Sequence, residues 1–340
     1  MVPALAVADA LRAEGAEVAF IGGRRAEAEL VPEAGYELHR LNVRGLSRSN
    51  PRQALGSLAL AAVAVPRARR LLRELRADAV MGGGGYVAGP VGVAAVSQRL
   101  PLVLTEADSH LGVTNRLLAP FARRVCLAFP LAGREGARYR LTGRPIPPRR
   151  TDRAAGRERF GLVENETCLL VFGGSLGSRS INLAAVEAFA AAPFRVVHVC
   201  GPRDYPALRS HDLRPGYELL SYLGTEDFGL ALAAADLVVA RSGGSVFELA
   251  AYGRPAILIP FPHAAGDHQR SNARWMTEAG AATVIEDGDL DAARLGGEVA
   301  SLLADRHRLH EMAVASRALA KPDAARDVAE ELMAAARGAR

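Results

Sequence analysis

Several glycine-rich turns, each following a short apolar run, carry the residues best able to do chemistry. Val171-Phe172-Gly173-Gly174-Ser175-Leu176-Gly177-Ser178 enters a helix-spaced stretch from Ile181 to Ala191. Glycines let backbone approach an anion closely, and a helix N-terminus offers unpaired N–H groups and partial positive charge, so this is a phosphate-cradle pattern to which Ser175 adds a hydroxyl. A turn of this kind also serves tight packing. A second unit, Ala240-Arg241-Ser242-Gly243-Gly244-Ser245-Val246-Phe247-Glu248, places Glu248 in early helical turns. A carboxylate there can accept two hydrogen bonds from a ribose diol, or simply complement the helix dipole. A third, Pro260 to Ala273, gathers Asp267, Gln269 and Asn272, whose carboxylate and amide groups suit hydroxyl recognition. His263 and His268 in the same segment read as loop histidines.

The first half of the chain has two such sites. Gly82, Gly83, Gly84, Gly85 and Tyr86 form one dense turn whose N–H groups make a nest for an anion such as a pyrophosphate. Leu104-Thr105-Glu106-Ala107-Asp108-Ser109-His110 leaves a buried run and sets two acids and a histidine at a strand end, where one of Glu106, Asp108 and His110 can touch a sugar hydroxyl or act as a base. The segments lack the complete GxGxxG fingerprint and the GxxxxGK[ST] loop, which argues against a dehydrogenase or an ATPase. Cys126, Cys168 and Cys200 are odd in number and far apart, and no His/carboxylate cluster has metal spacing, so neither a disulfide framework nor a metal site is expected.

The elements that must position these turns follow from the alternation of short β-branched runs with Ala/Leu-rich stretches. Glu17–Ile21, Ala79–Met81, Leu102–Thr105, Cys168–Phe172, Arg195–Val199, Leu237–Ala240 and Ala256–Pro260 read as parallel strands between covering helices. In such sheets ligands bind at the C-terminal strand ends, where these turns lie. At 340 residues and 49% hydrophobic the chain has material for two cores. The proline-rich Gly143-Arg144-Pro145-Ile146-Pro147-Pro148-Arg149-Arg150 marks the boundary, giving domains over residues 1–146 and 147–340. An amphipathic stretch within 322–338 is expected to pack back on the first domain.

A net charge of +5 suits a phosphate-bearing partner or an anionic membrane. Lys321 is the only lysine, which we read as coding bias. Arg52 to Leu75 is predicted as a long helix kinked at Pro66, with Leu55, Leu58, Leu60, Ala61, Val63 and Val65 followed by Arg67, Arg69, Arg70 and Arg73. Such a helix suits an anionic membrane surface or a buried crossover; Gly45-Leu46-Ser47-Arg48 before it is another basic loop. No run reaches the length of a membrane-spanning helix and no signal series opens the chain, so a cell-interior protein is expected. With 5% aromatic residues and no recognised binding module, nucleic acid is not an expected partner.

GGGGYVAGP, LTEADSHLGVTNRLLA, GGSLGSRSIN and RSGGSVFELAAYGRPAILIPFPHAAGDHQRSNA, taken together and in this order, resemble the MurG family of glycosyltransferases over essentially the whole chain. The resemblance implies an α/β protein of GT-B fold, two Rossmann-like parallel-sheet domains facing a cleft. It implies a peripheral enzyme of the cytoplasmic membrane face, working in peptidoglycan synthesis without a cofactor. Such an enzyme transfers GlcNAc from UDP-GlcNAc to undecaprenyl-pyrophosphoryl-MurNAc-pentapeptide, inverting the anomeric centre and releasing UDP. By that match Glu248 binds the ribose, Ser175 and its loop meet the phosphates, and Leu223 sits by the uracil. Arg241, Gly244, Gln269 and Asn272 fall in segments holding donor sugar and diphosphate. Asn115, Glu106 and Asp108 fall in the cleft-facing segment of the first domain, and Gly82 to Tyr86 meet the acceptor pyrophosphate.

Two departures from the family pattern stand out. Family members open with a strand and a GGTxGHxxP loop whose histidine is a favoured base, and Met1 stands where the residue after that histidine falls. The expectation is a first domain lacking that strand and histidine, with a misassigned start codon as one explanation. The linker reads Arg144 and Pro147 where the family commonly reads Asn-Pro-Val-Arg, so the resemblance implies no arginine contact to UDP from that position, and Arg149 is a candidate substitute only. Two other readings stay open: a GT-B transferase with another lipid or small-molecule acceptor, and an inactive UDP-sugar-binding truncation.

Overall fold

The computed structural model describes residues 1–43, 51–150 and 152–338. The Gly45–Arg48 turn lies outside them, as do the side chains of Leu55, Leu58 and Ala61. The chain divides into two compact units, Met1–Pro147 with Lys321–Arg340, and Pro148–Ala320.

The first unit runs α1 (Val2–Ala13), β1 (Ala19–Gly22), α2 (Glu27–Glu33), β2 (Glu37–Arg40), α3 (Pro51–Glu74), β3 (Val80–Gly82), α4 (Gly85–Ser97), β4 (Leu102–Glu106), α5 (Val113–Leu118), β5 (Arg124–Leu127) and β6 (Tyr139–Leu141). Among the described residues its strands make two parallel sheets, β1-β2 and β3-β4-β5-β6, which share no ladder. The period-2 alternation of a strand sorts side chains to two faces. Leu102, Leu104, Val125 and Leu127 face Ala64, Ala68 and Leu72 of α3 and Val91, Ala94 and Ala95 of α4. α3 runs through Pro66 as one helix. The buried alanines and leucine of its second half show that it is a crossover helix with a solvated side bearing Val63, Arg67, Arg69, Arg70 and Arg73, all exposed.

The second unit runs α6 (Arg153–Arg159), β7 (Cys168–Phe172), α7 (Arg179–Phe189), β8 (Arg195–Val199), α8 (Tyr205–Leu208), β9 (Tyr217–Leu220), α9 (Thr225–Ala234), β10 (Leu237–Ala240), α10 (Val246–Tyr252), β11 (Ala256–Leu258), α11 (His268–Glu278), β12 (Ala282–Val284), α12 (Ala292–Ala304) and α13 (Arg306–Ala318). Its parallel sheet has the order β12-β11-β10-β7-β8-β9. The middle strands β7 and β10 are apolar at every position and buried throughout, as a strand covered on both faces must be. Leu169, Val171, Leu237, Val239 and Ile257 share one face with Ile181, Ala185 and Phe189 of α7 and Leu295, Val299 and Leu302 of α12.

The last helix, α14 (Ala324–Arg337), belongs to the first unit. Val328, Ala329, Leu332 and Ala335, at helical spacing, cover Val103 of β4 and Cys126 of β5 beside Val7 of α1. Glu331 of the same helix, 9% exposed, accepts from Arg124 Nε at 2.8 Å and Arg140 Nη1 at 2.6 Å. Burial alone would raise its pKa, but the bonds from Arg140 and Arg124 outweigh that and hold it below the usual carboxylate range. Gly143, at φ +84°, lies where the chain leaves this unit; a Cβ there would come within 2.4 Å of Lys321 Cβ, where the chain returns.

We expect Glu331→Ala to destabilise the first unit by about 2 kcal/mol, since it leaves two arginines facing a half-buried void. Because the native pKa is depressed, the wild-type advantage is complete at neutral pH and fades as pH falls through that value. Urea unfolding at pH 7 and at pH 3 checks both; equal midpoints at pH 7 would show that α14 is held by its apolar stripe alone.

Candidate active site

In the second unit β7 delivers the loop Gly173–Ser178 to the start of α7. Gly177 has φ +75°, and a Cβ on it would stand 1.9 Å from the Cys200 carbonyl oxygen, so the loop closes against the end of β8 only with glycine there. Ser178 is the N-cap of α7 but makes no side-chain cap hydrogen bond, and Ser175 is exposed at the loop tip. An eleven-residue helix thus presents its first N–H groups without a side-chain cap.

Behind that loop a buried polar chain fixes α7 to the sheet. Asn182 donates to Cys200 O at 2.8 Å and to Asp204 Oδ2 at 2.9 Å, while its Oδ1 lies 3.0 Å from His198 Nε2. His198 Nδ1 is 2.7 Å from the Tyr217 hydroxyl. An amide oxygen only accepts, so Nε2 carries the hydrogen and Nδ1 accepts from Tyr217: a neutral imidazole satisfies the whole chain. Burial pushes the His198 pKa down to about 3.

The loop after β10 is organised by Arg241, 9% exposed. Its guanidinium pairs with Asp287 at 2.6 Å, donates to Ser180 Oγ at 2.9 Å and to the carbonyls of Ile259 and Pro260 at 3.2 Å, and lies over the Phe261 ring. Ser180 in turn donates to Asp287. Arg241 therefore ties α7, the end of β11 and the segment after β12 together. Asn272 is buried and donates to Ser242 O at 2.9 Å, and its Oδ1 has no partner among the described residues. Gln269 accepts from Phe261 N at 3.0 Å, and its carbonyl accepts from Ser242 Oγ. Glu248 sits in the first turn of α10, half-buried; Gly244 lies in the loop just before the N-cap Ser245, and Leu223 is buried just before α9. Arg149, the linker arginine, donates to Ala251 O at the end of α10, and Arg150 N donates to Tyr252 Oη, so this part of the linker is bound to α10.

In the first unit Glu106 is 8% exposed and already spoken for. It accepts from Gly112 N at 2.8 Å, Asn115 Nδ2 at 2.9 Å and Asp108 N at 3.2 Å. Asn115, 1% exposed, also donates to Thr105 O. Glu106 thus shapes the loop from which Asp108 projects, half-buried and without a side-chain hydrogen bond or ion pair among the described residues. His110 is exposed. The glycine turn follows β3, with Gly84 and Gly85 at φ +75° and +78°, and Gly83 and Gly85 exposed. Thr114 Oγ1 donates to Gly85 O from one side; from the other, Tyr86 Oη donates to Glu27 Oε1.

Residues 1–127 match the family model for the glycosyltransferase family 28 N-terminal domain, and residues 168–329 that for its C-terminal domain. A Rubrobacter xylanophilus protein, UDP-N-acetylglucosamine--N-acetylmuramyl-(pentapeptide) pyrophosphoryl-undecaprenol N-acetylglucosamine transferase, is 45% identical over 97% of this chain and 99% of its own length. The chain belongs to the MurG family. A Halothermothrix orenii protein of the same name is 38% identical over 94% of this chain and 91% of its own. The crystal structure of Acinetobacter baumannii MurG superposes with a TM-score of 0.77 at 29% identity, covering 98% of this chain and 95% of that one. The calicheamicin glycosyltransferase CalG4, at 18% identity and TM-score 0.70 over 98% of this chain and 94% of its own, shares the fold. The α/β GT-B class expected of a MurG protein is therefore the class observed.

Sequence reasoning missed Ser180, His198, Asp287, Thr114 and Glu27. An early-helix acid after a glycine-ended strand is a signal that could have found Glu27, since Glu248 was read that way. The others act through contacts far apart in sequence.

His198 gives a pH signature with a definite sign. It stays neutral when folded and has an ordinary pKa near 6.5 when unfolded, so between about pH 6.5 and pH 3 the unfolded state binds the extra proton. We expect stability of the second unit to fall on acidification across that window by up to about 1.4 kcal/mol per pH unit from this group. Urea midpoints against pH check it; a His198→Gln variant with the same slope as wild type would refute the assignment.

Proposed function

We propose that this chain is an inverting hexosyltransferase. It moves GlcNAc from UDP-GlcNAc to the 4-hydroxyl of MurNAc in undecaprenyl-pyrophosphoryl-MurNAc-pentapeptide and releases UDP. The observation that carries this is the near-full-length likeness to the Rubrobacter transferase, which spans both units. In this reading the second unit takes the donor and the first the acceptor.

As the glycosidic bond to phosphate breaks, negative charge grows on the UDP β-phosphate. The α7 N-terminus and its glycine loop supply fixed N–H groups for that charge, with Ser175 at the tip. Arg241 contributes mainly by holding that end of the unit in shape, because Asp287 offsets its charge. Glu248 receives the ribose hydroxyls, Leu223 lies along the uracil, and Gly244, Gln269 and Asn272 meet the sugar and diphosphate. The acceptor pyrophosphate lies in the Gly82–Tyr86 nest. The acceptor hydroxyl must lose its proton, and Asp108 suits that task best of the three candidates, because Glu106 is saturated with donors and His110 points from an exposed position.

We further propose peripheral attachment to the anionic cytoplasmic membrane face. No helix among the described residues is long and apolar enough to cross a membrane. The first unit does expose Val63 beside the α3 arginines, and also Leu117 and Phe121, at 66% and 64% exposure.

UDP release from UDP-GlcNAc in the presence of a lipid I analogue tests the reaction. Release that needs both substrates is expected; UDP-GlcNAc binding without turnover would favour a sugar-nucleotide binder, and turnover only with a small aglycone would favour another acceptor. In the same assay Asp108→Asn should lower kcat about 100-fold while both KM values stay within about threefold. An unimpaired Asn variant would remove Asp108 as the base.

A further inference from the structure

The glycine turn that we assign to the acceptor has almost nothing of its own to hold it. Gly84 and Gly85 both sit at positive φ, and a Cβ added to Gly85 would meet no atom within 4 Å. Its shape must come from its flanks. On one side Thr114 Oγ1 reaches Gly85 O at 3.0 Å. On the other, Tyr86, the second residue of α4, donates its hydroxyl to Glu27 Oε1 at 3.0 Å, across 59 positions of sequence.

The same Glu27 oxygen accepts from Gly23 N at 2.9 Å. Gly23 has room for no side chain, since a Cβ there would lie 2.5 Å from Tyr86 Oη and 2.8 Å from Glu27 Oε1. The Arg25 guanidinium stands 5.0 Å from the centre of the Tyr86 ring. Gly23 and Glu27 belong to the end of β1 and the start of α2, whereas Tyr86 follows β3. Those strands lie in separate sheets. One carboxylate oxygen therefore joins the two sheets at their C-terminal ends, at the first helical turn behind the glycine nest.

We propose that Glu27 is a positioning residue for acceptor binding: through Tyr86 it fixes the Gly82–Gly85 loop in the conformation that receives the acceptor's anionic group. This rests on the reading of that loop as the acceptor site. Burial disfavours the charged form of Glu27, but its hydrogen bonds, from its own backbone N–H, Tyr86 and Gly23, outweigh burial and keep it a carboxylate below its ordinary pKa. Those donors occupy its charge, so it acts as an acceptor of hydrogen bonds rather than as a charge facing the ligand.

The test is steady-state kinetics on the full chain with UDP-GlcNAc and a lipid I analogue, for Glu27→Ala, Glu27→Gln, Tyr86→Phe and the Glu27→Ala/Tyr86→Phe pair. Glu27→Ala should raise acceptor KM about tenfold and leave donor KM within about twofold. Glu27→Gln, whose amide oxygen can still accept both bonds, should keep acceptor KM within about threefold. In the Tyr86→Phe background, Glu27→Ala should add less than about twofold, because its route to the loop is already cut. A Gln variant as impaired as the Ala variant, or an Ala effect undiminished in that background, overturns the proposal. Amide exchange gives a readout that needs no turnover: Glu27→Ala should speed exchange at Gly82–Tyr86 and leave Gly173–Ser178 unchanged, and unaltered exchange at Gly82–Tyr86 overturns it as well. Should Glu27→Ala fail to fold, exchange in Tyr86→Phe and in Glu27→Gln decides the same question. Inactivity of the wild type would defeat the acceptor reading, while the exchange result would still judge the tie.

Discussion

In a parallel sheet every strand points the same way, and that constraint governs where this protein can keep its chemistry. Each strand must be followed by a crossover, so every loop leaving a C-terminal strand end emerges on one side of its unit. The segments after β3 and β4 in the first unit, and after β7, β9, β10 and β11 in the second, carry the candidate residues. None comes from a strand's N-terminal end. Central strands such as β7 and β10 are apolar and buried throughout, which gives the short polar loops a packed base.

Short loops rich in glycine are poor at holding themselves, and the structure compensates with buried polar side chains placed just beneath them. Asn182 and His198 lie under the phosphate loop, Arg241 with Asp287 beside it, Asn272 under Ser242, and Glu106 with Asn115 under the loop after β4. Each such group costs desolvation and is kept only where its bonds are nearly all made. The unpartnered Oδ1 atoms of Asn115 and Asn272, on α5 and α11, are exceptions among the described residues, and both residues lie beneath site loops.

How far this could be read from sequence depended on burial. β7 and β10 are continuous apolar runs in the middle of a sheet, and β8 is a valine-rich one broken only by Arg195 and His198; the spans of all three are legible to the residue. β2, β9 and β12 border their sheets and carry mixed residues such as Glu37-Leu38-His39-Arg40, while β6 is three residues long with Arg140 in the middle. These did not stand out, nor did β5, which begins on Arg124 and has no glycine turn after it. The glycine turns were visible because glycine has few other reasons to cluster. Their supports were not: Asp287 lies 46 positions beyond Arg241, and Glu106 reads as a candidate base until its three donors are seen.

The return of α14 sets synthesis against assembly. The second unit is continuous in sequence and can close its core as soon as Ala320 has been made. The first unit, begun earlier, cannot: one face of β4 and β5 waits for Val328, Leu332 and Ala335, and Arg124 and Arg140 wait for Glu331. On a ribosome the unit translated first is thus the one completed last, and for most of that interval Val103 and Cys126 lack their cover. During this window the apolar surface that α14 later covers is open to solvent, the condition under which an incomplete chain aggregates or is held by a chaperone.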